Sequence, residues 1–313
     1  MYRTKSGKYP CGACGAVGTM TRAHVPAQCA GNRGPIRSTT AIVLANNDIK
    51  RFPAREGGMF VFGLCAACNS TAGRLYDPAY AELADLLRPH WITDWRLELP
   101  LTIGLPTGEV RPGAVARSTL IAMSSLTPKM FDDWPEFLGE LLDPGAAPSL
   151  PNDGRLMMAY SRGMTGRAEG FAATVIGPGR DAFITSFASI FFAPLAWQLV
   201  DEDSADLLSR QGWVDVSEWV TIPVTEIRAV NSLVKRMAAT NHPLHNPNMV
   251  NGYWCHMSSE DVSILVETFD VTGKTSGQNL HSVNRHLNSQ VYLPLPEDGA
   301  ITEEWVHAHV ARG

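Results

Sequence analysis

The chain has 313 residues, with 26 Lys and Arg against 31 Asp and Glu, a formal net charge of -5, and 45% hydrophobic residues. That length and apolar content suit one large or two medium globular domains and exclude a collagen-like or low-complexity chain. The net charge excludes a surface that is basic everywhere, yet residues 1–75 hold ten basic and two acidic residues, for +8, and the remainder carries -13. A basic front can approach a polyanion while the acidic remainder opposes indiscriminate binding. The first residues are basic but lack the apolar run of a secretory signal, so a cytoplasmic location is the expectation.

In chain order, Pro10-Cys11-Gly12-Ala13-Cys14-Gly15 predicts a tight knuckle, its glycines freeing the backbone to turn. Residues 40–44 and 59–64 read as short apolar strands, the second running straight into Cys65. A short helix starts near Asn69, weakened by Gly73. Asp77-Pro78 is a helix start, a capping carboxylate before a residue of preset geometry. That helix runs to about Arg88, with Leu83, Leu86 and Leu87 on one side and Pro89 as its stop. A strand follows over 96–103 and a helix over 115–126, with Leu120, Met123 and Leu126 on an inward face. A second helix is expected over 131–142, its first turn weakened by Pro135. The Pro- and Gly-rich segment 143–154 is a connection.

Strands are expected over 155–160, 170–176 and Ala182–Phe192, with Gly177-Pro178-Gly179 turning between the last two. Residues 182–200 carry no charge and are long enough to span a membrane. Thr185, Ser186, Ser189, Pro194 and Gln198 interrupt the apolar surface, so a buried strand-turn-helix segment is the expectation. Next come a short helix over 201–211, a strand or irregular sheet edge over 213–222, and a helix over 223–239. In that helix Ile227, Val230, Val234 and Met237 recur at helical spacing. After an Asn- and Pro-rich connection, a strand over 262–269, a helical turn over 278–286 and an extended piece over 291–295 are expected. The pattern is α+β: residues 1–76 form a basic module, 77–100 a helical connection, and 101–313 a larger mixed α/β domain.

Four of the six cysteines form two C-x-x-C pairs, Cys11/Cys14 and Cys65/Cys68. Such pairs serve as redox dithiols, as disulfides in exported proteins, or as halves of a tetrahedral metal site. Two pairs in one basic module favour a single structural Zn2+ held by four thiolates, which closes a loop of about fifty residues and contributes to folding. Cys29 and Cys255 read as ordinary thiols. The paired histidines His242/His245, His281/His286 and His307/His309 read as turn, packing or solvent residues, and the tryptophans, all beyond residue 90, as core or interface.

The order Cys11-x-x-Cys14, Ala23-His24-Val25-Pro26, Cys65-x-x-Cys68-Asn69 resembles the HNH or ββα-metal endonuclease superfamily, in its treble-clef subset with four zinc-binding cysteines. The resemblance covers about residues 9–77. It implies a β-hairpin beside a short helix, with a catalytic Mg2+ or Mn2+ separate from the structural zinc. It implies His24 as general base, since a neutral imidazole can take a proton from water. Asn69 stands where the family carries a metal ligand, and its amide oxygen suits either a hard ion or a helix cap. The sequence departs from the family at Ala23, where an acidic or histidine ligand is usual. Asn46 or Asn47 would then orient His24, and Asp48 or Glu56 would supply the missing oxygen.

Arg22, Arg33, Arg37, Lys50, Arg51, Arg55 and Arg74 form the expected phosphate-contact set. The leading reading is a metal-dependent endonuclease hydrolysing nucleic-acid phosphodiester bonds, with DNA as the expected polymer. The C-terminal region would select substrate, bind a protein partner or pair with a second copy. The alternative, favoured by Ala23, is a zinc-stabilised component that binds nucleic acid or protein without cutting. An enzyme centred on the larger acidic region is the third reading.

Overall fold

In the computed structural model the described residues are 7–33, 37–43, 49–51, 55–90, 101–127, 129–151, 153–161, 165–170, 172–176, 182–240, 254–256 and 264–270. The region holding the four cysteines is followed by a mixed α/β region, and a single buried cluster runs through both, from Cys11 to Ala239. At its centre lies the helix Pro112–Leu126, in which every residue from Pro112 to Ser125 is buried. Such a helix cannot show a polar face. Three of its hydroxyls turn back on its own carbonyls instead, Thr119 to Val115, Ser124 to Ile121 and Ser125 to Ala122. The helix Asp77–Leu87 packs alongside it, and Ser118 Oγ donates to Asp77 Oδ1 at 2.7 Å.

The other wall is a large, mostly antiparallel sheet. Its path runs Ile49–Arg51, Arg37–Val43, Ile264–Asp270, Thr165–Glu169, Ala182–Phe192, Leu195–Val200, Arg155–Ser161, Arg236–Thr240 and Leu101–Gly104. Alternation along the central strands divides them between two cores. Leu156, Met158, Tyr160, Ile190, Phe192, Leu195, Trp197 and Leu199 join the main cluster. Met157, Ala159, Phe191, Ala196 and Val200 face Ala205, Leu208 and Trp213 in a second cluster. The helix Glu202–Arg210 that covers the second face starts where Asp201 Oδ1 accepts from Ser204 N–H at 2.7 Å. Trp197 Nε1 donates to Tyr80 Oη at 3.1 Å, tying the sheet to the helix Asp77–Leu87.

Several expected elements take other forms. Residues 182–200 make a β-hairpin, not strand-turn-helix: Pro194 interrupts the chain, and six consecutive residues from Leu195 then pair with Ala182–Phe192. From Ala188 to Val200 both faces of that hairpin are buried, so the segment carries no charge, which is also why it matched the length of a membrane span. Among the described residues, no helix is long and apolar enough to cross a membrane. The helix expected over 223–239 is one turn, Val230–Leu233, followed by the strand Arg236–Thr240. Pairing of that strand with both Leu101–Gly104 and Arg155–Ser161 outweighs the helical spacing. Residues 213–222 contribute only Val214–Asp215 before a 3-10 turn, and 131–142 is split in two at Pro135. The expectations over 240–252, 278–286 and 291–295, and most of 96–103, lie outside the described residues.

Arg117 is wholly buried in the central helix. Its guanidinium donates to the carbonyls of Glu140, Leu141, Asp143 and Ala146 and lies over the Tyr76 ring. Glu140 and Leu141 lie in the last turn of the helix Pro135–Leu142, and Asp143 and Ala146 lie in the turn that follows it, an end that carries partial negative charge. Arg117→Met should lower stability by about 2–4 kcal/mol, because it strands buried carbonyls while conserving much of the volume. Chemical denaturation of the two proteins measures this directly.

Candidate functional site

The four cysteines converge. Lys8–Pro10 and Val17–Thr19 form a short antiparallel hairpin, and Cys11 and Cys14 occupy the turn between them. Gly15, at φ +68°, donates to Cys11 O at 2.9 Å, and Cys11 N–H reaches Ala16 O at 3.1 Å. A side chain at Gly15 would be strained in that conformation. The second half comes from the hairpin of Thr21–His24 with Phe60–Leu64, which delivers Cys65 to the start of the helix Ala66–Leu75. Cys68 lies in its first turn. The Sγ atoms all lie within 4.8 Å of one another, and Cys14 and Cys65 are 3.8 Å apart. Four sulfurs each about 2.3 Å from a tetrahedral Zn2+ stand about 3.8 Å from one another, so these residues fit that ion. Cys29 stays outside the cluster, its thiol donating to Asp77 O.

Without metal the sulfurs share protons unequally. The hydrogen bond from Cys68 holds the Cys11 thiol down at about 4, against the opposing effect of burial. The same bond, with burial, pushes Cys68 well above the usual thiol range. Coordination of one Zn2+ by all four sulfurs would displace these protons. The central helix closes over the site: a Cβ on Gly12 would stand 2.1 Å from Ser124 O, and one on Gly63 2.2 Å from Ser125 O. Gly12 N–H also donates to Gly63 O at 2.9 Å, joining the two cysteine-bearing halves.

His24 ends its strand opposite Phe60 and is half-buried. Its Nε2 lies 3.1 Å from Gly57 O. A carbonyl only accepts, so Nε2 carries the proton and Nδ1 keeps its lone pair. Burial lowers the imidazole's pKa, the Gly57 carbonyl partly opposes this, and the nearby Arg22 charge lowers it further. At neutral pH the ring is therefore an uncharged base with a defined tautomer.

A residue that sequence reasoning passed over arranges this corner. Asn32 is fully buried, its Nδ2 donating to Pro26 O and Met59 O while Oδ1 accepts from Met59 N–H at 2.6 Å. It thus clamps the chain just after His24 to the chain just before Phe60. Gly57 and Gly58, both at positive φ, complete the turn, and a Cβ on Gly58 would stand 2.5 Å from Asn32 O. The signal available in the sequence was the Gly-Gly pair ahead of an apolar strand. The orienting role expected of Asn46 or Asn47, and a ligand role for Asp48, fall outside the described residues; Glu56 lies in the two-residue strand Arg55–Glu56.

Ala23 is 2% exposed and faces the core, between Arg22 and His24 on the opposite side of the strand. Asn69 lies in the second turn of its helix, and its Nδ2 donates to Arg22 O at 3.1 Å, fastening helix to hairpin. The basic residues spread over three places. Arg22 is exposed beside His24, Arg33 is exposed just after Asn32, and Arg74 is exposed in the last turn of Ala66–Leu75. Arg37, Lys50, Arg51 and Arg55 lie in strands at one end of the large sheet path, where Arg37 is in register with both Glu56 and Asp270, and Arg55 with Ser38.

Searches against protein-family models, curated proteins and solved structures return no match for this chain. The geometry itself is testable. The purified chain should carry one Zn2+, measured by elemental analysis. Acidification should release it as protons compete for the thiolates, and Cys65→Ser should lose most of the bound zinc together with stability. Asn32→Ala removes three buried hydrogen bonds and should lower the unfolding free energy by about 2–3 kcal/mol, read from the denaturant midpoint.

Proposed function

We propose that the front of the chain is an HNH-like treble clef and that the protein hydrolyses nucleic-acid phosphodiester bonds, with His24 as general base. The observation that carries this reading is the His24–Gly57 contact: a half-buried imidazole, neutral at pH 7, with Nδ1 left as the acceptor. Knuckle, hairpin and helix follow one another in the order the resemblance implies, and the cysteines contribute scaffold rather than chemistry. The +8 charge of residues 1–75 favours a polyanionic substrate, with DNA the expected polymer and the acidic remainder restricting where it binds.

The catalytic Mg2+ or Mn2+ of the resembling enzymes does not fit the described residues. Ala23 offers a buried methyl group where a ligand belongs, and Asn69 has one amide oxygen, too little for a hard ion that takes several oxygen ligands. Among the described residues, the cysteine quartet is the one group of three or more His, Cys, Asp or Glu side chains able to converge on a metal. The same observations support a second reading, in which the module binds nucleic acid or a protein without cutting it.

The deciding experiment incubates the zinc-loaded protein with single-stranded and duplex DNA and RNA. Cleavage should occur and should fall by at least about 100-fold in His24→Ala, with zinc content and circular dichroism unchanged. The rate should rise from acid pH with an inflection below the ordinary histidine value of about 6.5, because burial and Arg22 disfavour the charged ring. Binding without cleavage at any pH would establish the second reading.

A further inference from the structure

Arg22 and His24 lie two residues apart on one strand and share one aromatic ring. The Arg22 Cζ sits 4.8 Å from the Phe60 centroid, and the imidazole lies 5.8 Å from the same centroid, tilted by 56°. Ala23, between them, turns into the core. The Arg22 side chain is exposed, and among the described residues no carboxylate pairs with it. A cation resting on a ring face is held in place yet keeps its N–H groups for another partner. Its backbone is fixed too, since Arg22 O accepts from Asn69 and the strand pairs with Phe60–Leu64. A guanidinium held on a ring face, with no ion pair among the described residues, therefore stands beside a preset base.

We propose that Arg22 is the cation that receives the scissile phosphate, in the part that the resembling enzymes give to an ion, for which Ala23 offers no ligand. The inference rests on the reading of His24 as base and identifies what meets the charge on the other side of the reaction. Two guanidinium N–H groups bind the non-bridging phosphate oxygens, whose negative charge grows as water adds to phosphorus. His24 Nδ1 takes one proton from that water. The P–O bond to the leaving sugar oxygen breaks with its electron pair, and solvent protonates that oxygen. One water is consumed, a phosphomonoester and a hydroxyl end result, and no electron passes to or from the protein. Asn69 is a positioning residue here, acting through the backbone of Arg22.

The test uses the full chain loaded with zinc and a short oligonucleotide, in buffer with and without added Mg2+. Wild-type cleavage should differ by less than about threefold between the two buffers, while Arg22→Met, which keeps an apolar stem on Phe60, should lose about 100- to 1,000-fold in kcat. Arg22→Lys should recover part of that loss, since it restores the charge without the planar fork. Removing the charge should also move the acid inflection of any residual activity upward, a change that a merely structural residue would not cause. A strict Mg2+ requirement, or Arg22→Met cleaving at the wild-type rate, overturns the role of Arg22 and leaves His24 to be judged by His24→Ala. A wild-type protein that cuts neither DNA nor RNA in either buffer overturns both.

Discussion

The structure at the front of the chain depends on four sulfurs being brought within 4.8 Å of one another from two places about fifty residues apart in sequence. Two local conformations make each pair: a hairpin turn for Cys11 and Cys14, and a strand running into a helix for Cys65 and Cys68. Neither pair completes a tetrahedron alone. Their meeting is enforced by close backbone approach, with Gly12 N–H bonded to Gly63 O and both glycines pressed against the carbonyls of Ser124 and Ser125. Metal binding by all four thiolates would therefore be coupled to tertiary packing, because the two cysteine-bearing halves must meet before one ion can reach every sulfur.

The same arrangement places His24. The hairpin that carries Cys65 to the metal has His24 on its other strand, so the register that builds the zinc site also sets the imidazole opposite Phe60. Asn32 and the Gly57-Gly58 turn then fix the loop that leaves and re-enters this hairpin. Buried amides of this kind are costly when unpaired and specific when paired, so the corner has a narrow choice of conformations. The result is a base with an assigned tautomer, alongside a guanidinium steadied by a ring face.

The larger region contributes support of another sort. Its central strands are buried on both faces, and Arg117 spends its charge on the carbonyl end of a neighbouring helix rather than on a ligand. The segment between the cysteine pairs joins this sheet as well, with Arg37–Val43 pairing along its length to Ile264–Asp270. Arg37, Lys50, Arg51 and Arg55 therefore sit in strands of the large sheet, apart from Arg22 and Arg33. Arg37 is in register with Glu56 and Asp270, whereas among the described residues no ion pair involves Arg22.

What could be read from the residues was whatever is local. The C-x-x-C spacing announces half a metal site, Asp77-Pro78 a helix start, and alternating or continuous apolar runs a strand, because each is a property of a few adjacent side chains. The spacing of Ile227, Val230, Val234 and Met237 was equally local and misled, since two flanking strands claim Arg236–Thr240. Leu195–Val200 was missed for a similar reason: a strand buried on both faces shows no alternation. Asn32 gave no sign of its role, because an asparagine following a glycine looks like any turn residue until Met59, distant in sequence, arrives to bond it. Only tertiary structure could decide that Ala23 faces inward while Arg22 and His24 share a ring. Strand alternation allows either face to be buried, and the packing of the helices against the hairpin made the choice.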